Sequence, residues 1–107
     1  MLDPLKKIFL EKIVHIKNEY RLPNEVFELA KKFSFLIADE KINPYRITDL
    51  YEEGYVFQFI KNEYMVYFEI YEDCDFGYIT LDEKNNHKII DNEDITELKT
   101  FIEYMKR

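Results

Sequence analysis

The stretch from Tyr55 to Glu83 leaves this chain the fewest ways to fold. It reads YVFQFIK, a polar break at Asn62-Glu63, YMVYFEIYE, a second break at Asp73–Phe76, and then GYITLDE. Large apolar residues at every second position are the signature of half-buried strands, not helices. A two-residue break between two such runs is a hairpin loop, and it sets the register. Lys61 faces Tyr64, and the pairing runs outward through Phe59–Val66 and Phe57–Phe68 to Tyr55–Ile70. One face then holds Tyr55, Phe57, Phe59, Val66, Phe68 and Ile70. With Asp73–Phe76 as a four-residue loop, Tyr71 opposes Tyr78 and Ile70 opposes Ile79, so Ile79 and Leu81 join the apolar face. The second face then carries Gln58, Tyr67, Glu69, Tyr71, Tyr78 and Thr80, with Val56, Ile60, Met65 and Asp82 around them.

Helical patterns flank this meander. Asp3-Pro4 is an N-cap followed by a proline in the first turn, and apolar residues from Leu5 to Tyr20 recur at three- and four-residue steps, predicting a helix over 4–20. Arg21-Leu22-Pro23 breaks it. Asn24 is expected to cap a second helix, buried along Val26, Leu29, Ala30, Phe33, Leu36 and Ile37 and ending at Asp39 or Lys41. The short link makes the two helices an antiparallel hairpin. Residues 45–54 read as a short edge strand or a single helical turn, with Ile47 and Leu50 inward. After a polar turn at Lys84–His87, His87–Ile90 can add an edge strand. Asp91 or Asn92 is then expected to cap a last helix buried along Ile95, Leu98, Phe101, Ile102 and Met105. The expectation is a single domain over 1–107: two-layer α+β, with an N-terminal α-hairpin, a three- to four-stranded antiparallel meander and a C-terminal helix.

Composition narrows the function classes. No apolar run reaches the ~18 residues of a membrane helix. The N-terminus interleaves charge with apolar residues rather than forming a signal peptide, so a cytoplasmic protein is expected. Abundant Ile, Lys, Asn and Tyr point to an AT-rich genome more than to any activity. The formal charge is -7, and it is uneven: Asp49–Glu83 holds ten acidic residues against one basic residue, Lys61. A nucleic-acid binder shows a basic stripe instead, so direct nucleic-acid binding is not expected. The charge can steer a basic protein partner or simply keep the domain soluble.

Catalytic signatures are missing. There is no phosphate loop, dinucleotide fingerprint, HExxH or GxSxG. The single cysteine excludes an internal disulfide and a cysteine-based zinc site. Three carboxylates beside Cys74 oppose its thiolate. Asp73 and Asp75 give that turn a faint calcium-loop look, but the glycine falls one position early and further ligands are wanting. No cofactor, metal site or catalytic residue is expected. Glu69, projecting among tyrosines, could anchor a basic group, serve as an acid or base, or merely be a solvated strand residue.

The expected function is therefore a small acidic, non-catalytic protein-binding module. It would dock a partner of basic or mixed surface through Gln58, Tyr67, Glu69, Tyr71, Tyr78 and Thr80. Tyrosine, with an apolar body and a polar tip, suits such a surface. In size, charge and economy of build, though not by any motif, the chain resembles small acidic bacterial immunity proteins, antitoxins and phage inhibitors of nucleic-acid enzymes. Two other readings stay open: a ligand-binding protein or enzyme with a pocket between helices and sheet, and a homodimeric structural subunit.

Overall fold

The computed structural model describes residues 2–81, 87–92 and 96–107, with side chains for 2–79 and 98–107. Helix α1 spans Pro4–Tyr20. Asp3 caps it, its Oδ1 accepting the Lys6 N–H at 2.9 Å. It ends at Arg21, left-handed at φ 54°, whose N–H returns to the Lys17 carbonyl. Helix α2 spans Asn24–Asp39, and its N-cap is Pro23, not the expected Asn24. Pro23 is extended at ψ 146°, so Asn24 enters as the first helical residue, and proline's ring offers no side-chain cap bond.

Strands β1 (Arg46–Leu50), β2 (Gly54–Lys61), β3 (Tyr64–Ile70), β4 (Phe76–Leu81) and β5 (His87–Asn92) lie in sequence order in one antiparallel sheet. That is one strand more than expected among the described residues. The addition is β1, where the chain takes the edge-strand option. Leu50 does not turn inward with Ile47, because positions three apart on a strand face opposite ways. It pairs with Gly54, whereas Ile47 pairs with Phe57. Helix α3 spans Thr96–Lys106. Asp91 and Asn92 belong to β5 and do not cap it; Ile95, the Asp82 expected on the second face and the turn before His87 lie outside the described residues.

The β2–β3 register is the expected one, from Lys61↔Tyr64 to Tyr55↔Ile70. The β3–β4 register is not. Phe68 faces Tyr78 and Ile70 faces Phe76, a slip of three residues from the expected pairing. The cause is the loop. The Tyr71 N–H donates to the Asp75 carbonyl at 2.8 Å and the Cys74 N–H to the Tyr71 carbonyl at 2.9 Å. This closes residues 71–75, with Cys74 left-handed at φ 71°. An odd slip exchanges the two faces of β4. Phe76 and Tyr78 go inward, and Ile79 joins the outer face opposite Tyr67. The exchange buries two aromatic rings in place of aliphatic side chains and brings Gly77 beside Glu69.

All three helices supply rings to the same side of the sheet. Phe9 of α1 meets Phe57 at 6.0 Å between centroids, Phe33 of α2 meets Phe76 at 4.7 Å, and Phe101 of α3 meets Phe68 at 5.0 Å and Phe59 at 5.2 Å. Edge-on and tilted pairs of this kind add about 0.5–1.5 kcal/mol each beyond the area they bury. The Tyr55 hydroxyl, wholly buried, donates to the Ile13 carbonyl at 2.7 Å and ties β2 to the middle of α1. At the other end of the sheet, Lys106 bridges to Glu40 at 2.8 Å, and Lys61 Nζ donates to the Arg107 carbonyl at 2.8 Å. Together these contacts make two layers, with the described helices all on one side of the sheet.

Candidate functional site

Alternation along β2 and β3 sends Gln58, Tyr67 and Glu69 away from the helices. Each is half-buried, as is Tyr71 just beyond the end of β3. Gln58 stands directly opposite Tyr67, so these two form one row across the sheet, continued by Arg46 on β1 and Ile79 on β4. The next row is Thr48, Val56, Glu69 and Gly77. Tyr71 reaches back along the strand and donates its O–H to Glu69 Oε1 at 3.0 Å. Among the described residues, no helix packs on this face. Buried Val56 and half-buried Met65 and Ile79 lie on it with Ile60, which is 49% exposed.

Four of the six residues expected on this surface are on it: Gln58, Tyr67, Glu69 and Tyr71. Tyr78 is not. It is 3% exposed, with its ring 5.4 Å from that of Phe101 and 6.2 Å from that of Tyr104. Thr80 pairs with Val66, a core residue, rather than with Glu69, and its side chain lies outside the described residues. Both shifts follow from the inverted β4. For the same reason Ile79, which the expected register places inward, lies on the outer face.

The acidity also sits elsewhere than expected. Glu52 and Glu53 lie in the turn before β2, and Glu72, Asp73 and Asp75 in the loop after β3. Because Tyr55 pairs with Ile70, both connections are at the same end of the sheet. On the face itself, Glu69 stands in register with Gly77 and, beyond it, with Asp91 of β5. Near that acidic end, burial first, and then Glu25, Asp73 and Asp75, push the Cys74 thiol up, which leaves it a poor nucleophile at neutral pH.

The three residue types that could build a nucleophilic site stand on different elements. His15 is exposed on α1, Ser34 is sealed inside α2 and Cys74 is half-buried in the β3–β4 loop. No three His, Cys, Asp or Glu side chains among the described residues are grouped to hold a metal ion. No helix among them is long and apolar enough to cross a membrane. The space between helices and sheet is filled by Phe9, Phe33, Phe57, Phe59, Phe68 and Phe101, none more than 1% exposed. Two shallow depressions lie away from it, by the start of α1: one between Asp3 and Asn43, the other between Leu2 and Glu11. Compared with known proteins, the chain matches no family model, no curated protein and no solved structure.

The outer face thus offers a carboxylate held by a tyrosine, a second tyrosine, an amide and a partly apolar floor. That set can accept hydrogen bonds, pair with a cation and cover apolar surface. Among the described residues it presents no activated nucleophile.

Proposed function

We propose that this protein is a non-catalytic, cytoplasmic protein-binding module that docks its partner on the outer face of the sheet through Gln58, Tyr67, Glu69 and Tyr71. The observation that carries the reading is the division of the sheet. Every helix supplies a ring to one face, while the other keeps two half-buried tyrosines and an ordered carboxylate with no helix over them among the described residues. A strand residue needed only for solubility has no reason to be a large amphipathic ring, whereas interfaces are enriched in tyrosine. The acidic turns at one end add long-range attraction for a basic partner. An inhibitor or immunity protein, which acts by covering another protein's surface, needs nothing more than such a face.

The test compares partner capture by the wild type and by the triple variant Tyr67→Ala, Glu69→Gln, Tyr71→Ala. A helix-surface variant, Lys12→Ala, serves as control, and circular dichroism checks that all three are folded. Proteins held by the wild type and the control but lost by the triple variant support the reading. Equal capture by all three refutes it.

A further inference from the structure

We infer that Glu69 is the seat for an arginine side chain of the protein partner. This rests on docking through the outer face and names the chemistry of the residue that docks. In register, Glu69 lies between Val56 on β2 and Gly77 on β4. Val56, 8% exposed, makes an apolar floor on one side. Gly77, itself buried, places no side chain on the other. Gly77 pairs in turn with Asp91 of β5, so an acidic residue stands in register on each strand flanking the glycine.

The carboxylate is held for this task. Tyr71 O–H donates to Oε1 at 3.0 Å, which removes rotamer freedom that an incoming cation would otherwise have to freeze. A carboxylate has about four acceptor positions, so it can still take the two parallel N–H groups of a guanidinium. Tyr67, two residues back on the same face, offers a ring for a planar cation to stack against. Arginine suits such a site better than lysine because its fork matches the carboxylate and its plane stacks. Arg46, the one described cation on this face, stands two strands away opposite Gln58, clear of the Glu69 row. A protein is the fitting source of the arginine's charge field, since Glu52, Glu53, Glu72, Asp73 and Asp75 crowd one end of the sheet and repel phosphate.

The test is a titration of the ¹⁵N-labelled full chain with acetyl-Gly-Arg-Gly-amide, alongside peptides carrying citrulline or lysine in place of arginine. Saturating shifts are expected at the Glu69, Tyr71 and Gly77 amides, with affinity on the order of millimolar for one ion pair with stacking. The citrulline peptide should give none, and lysine should bind more weakly. Glu69→Gln should weaken arginine binding by about three- to five-fold with an unchanged melting temperature. Shifts no larger at Gly77 and Glu69 than at Glu52, Glu53 and Asp73 overturn the inference, as does unchanged affinity in Glu69→Gln. If the triple variant still loses its partner while arginine fails to titrate, the docking face stands and the arginine seat falls.

Discussion

Gly54→Ala puts the geometry of the sheet to a direct test. A Cβ at Gly54 would lie 2.0 Å from the Ile70 carbonyl oxygen, 3.1 Å from the Ile70 carbonyl carbon and 3.4 Å from the Tyr71 Cα. Carbon and oxygen settle at about 3.3–3.6 Å even when weakly attracted, so the strands must part by more than ~1 Å at this point. Backbone conformation is not the obstacle, because neither glycine of the chain has positive φ. The obstacle is a main-chain carbonyl, which cannot swing aside as a side chain can. Overpacking of this kind costs roughly 1–3 kcal/mol, and parting β2 from β3 next to the Tyr55↔Ile70 pair strains a ladder hydrogen bond of about 1 kcal/mol. The stiffer unfolded chain of the alanine variant returns about 0.4–1 kcal/mol. A net loss of about 2–3 kcal/mol is expected. It would appear in urea unfolding followed by circular dichroism as a lower midpoint with unchanged slope, and as a melting temperature lower by roughly 8–12 °C at about 4 °C per kcal/mol. Tyr71 sits on the displaced segment, so arginine binding at Glu69 should weaken with it. A loss under about 0.5 kcal/mol, well below the overpacking range, would show that β2 and β3 do not approach as described.

Other substitutions probe separate parts of the fold. Tyr55→Phe removes the buried hydrogen bond to Ile13 and should cost about 1 kcal/mol in urea unfolding. Burial raises the Tyr55 hydroxyl pKa above its ordinary value near 10. The unfolded chain therefore ionises first, and the stability this group contributes is complete below pH ~10 and lost as pH rises beyond it. Tyr55→Phe should flatten that alkaline loss. Ser34 is buried with no partner for its Oγ, so Ser34→Ala should stabilise by about 0.5–1 kcal/mol, read as a higher urea midpoint. Glu63 is the second turn residue of the β2–β3 hairpin, left-handed at φ 72°; Glu63→Gly should stabilise by about 1 kcal/mol, read the same way.

What the sequence made legible depended on how openly each turn announces itself. Asn62-Glu63 separates two strands that both alternate, and a one-residue slip would place a charge in the core, so the β2–β3 pairing and the faces of Gln58, Tyr67 and Glu69 could be read. Asp3-Pro4 marked the start of α1 in the same plain way. The β3–β4 loop gave no such signal. Its left-handed residue is Cys74, where a glycine or asparagine would have marked the position. Both faces of FGYITL are apolar enough to be buried, so hydropathy cannot choose between them, and a four-residue loop at 73–76 puts Tyr78 and Thr80 on the opposite face from the observed register. The β1–β2 turn was hidden likewise, since its two left-handed residues are Tyr51 and Glu52, at φ 51° and 64°. They form a tight turn closed by the Glu53 N–H on the Leu50 carbonyl at 2.9 Å, with Asp49 accepting the Glu52 N–H at 2.8 Å. In this chain, glycine sits in the strands and other residues hold the turns, which reverses the usual cue.

The strict alternation of β2 and β3 separates what each substitution can change. Phe57, Phe59 and Phe68 meet rings of the helices and Val66 is buried in the same core, while Gln58, Tyr67 and Glu69, their immediate neighbours in the chain, face the other way. Outward positions can therefore vary without disturbing the interior, and selection for a new partner need not pass through a loss of folding. A protein that must follow a changing target is served by such independence. An outward surface of this kind can diverge quickly over an interior that stays the same, so related chains would share the inward residues of these strands and differ at the outward ones.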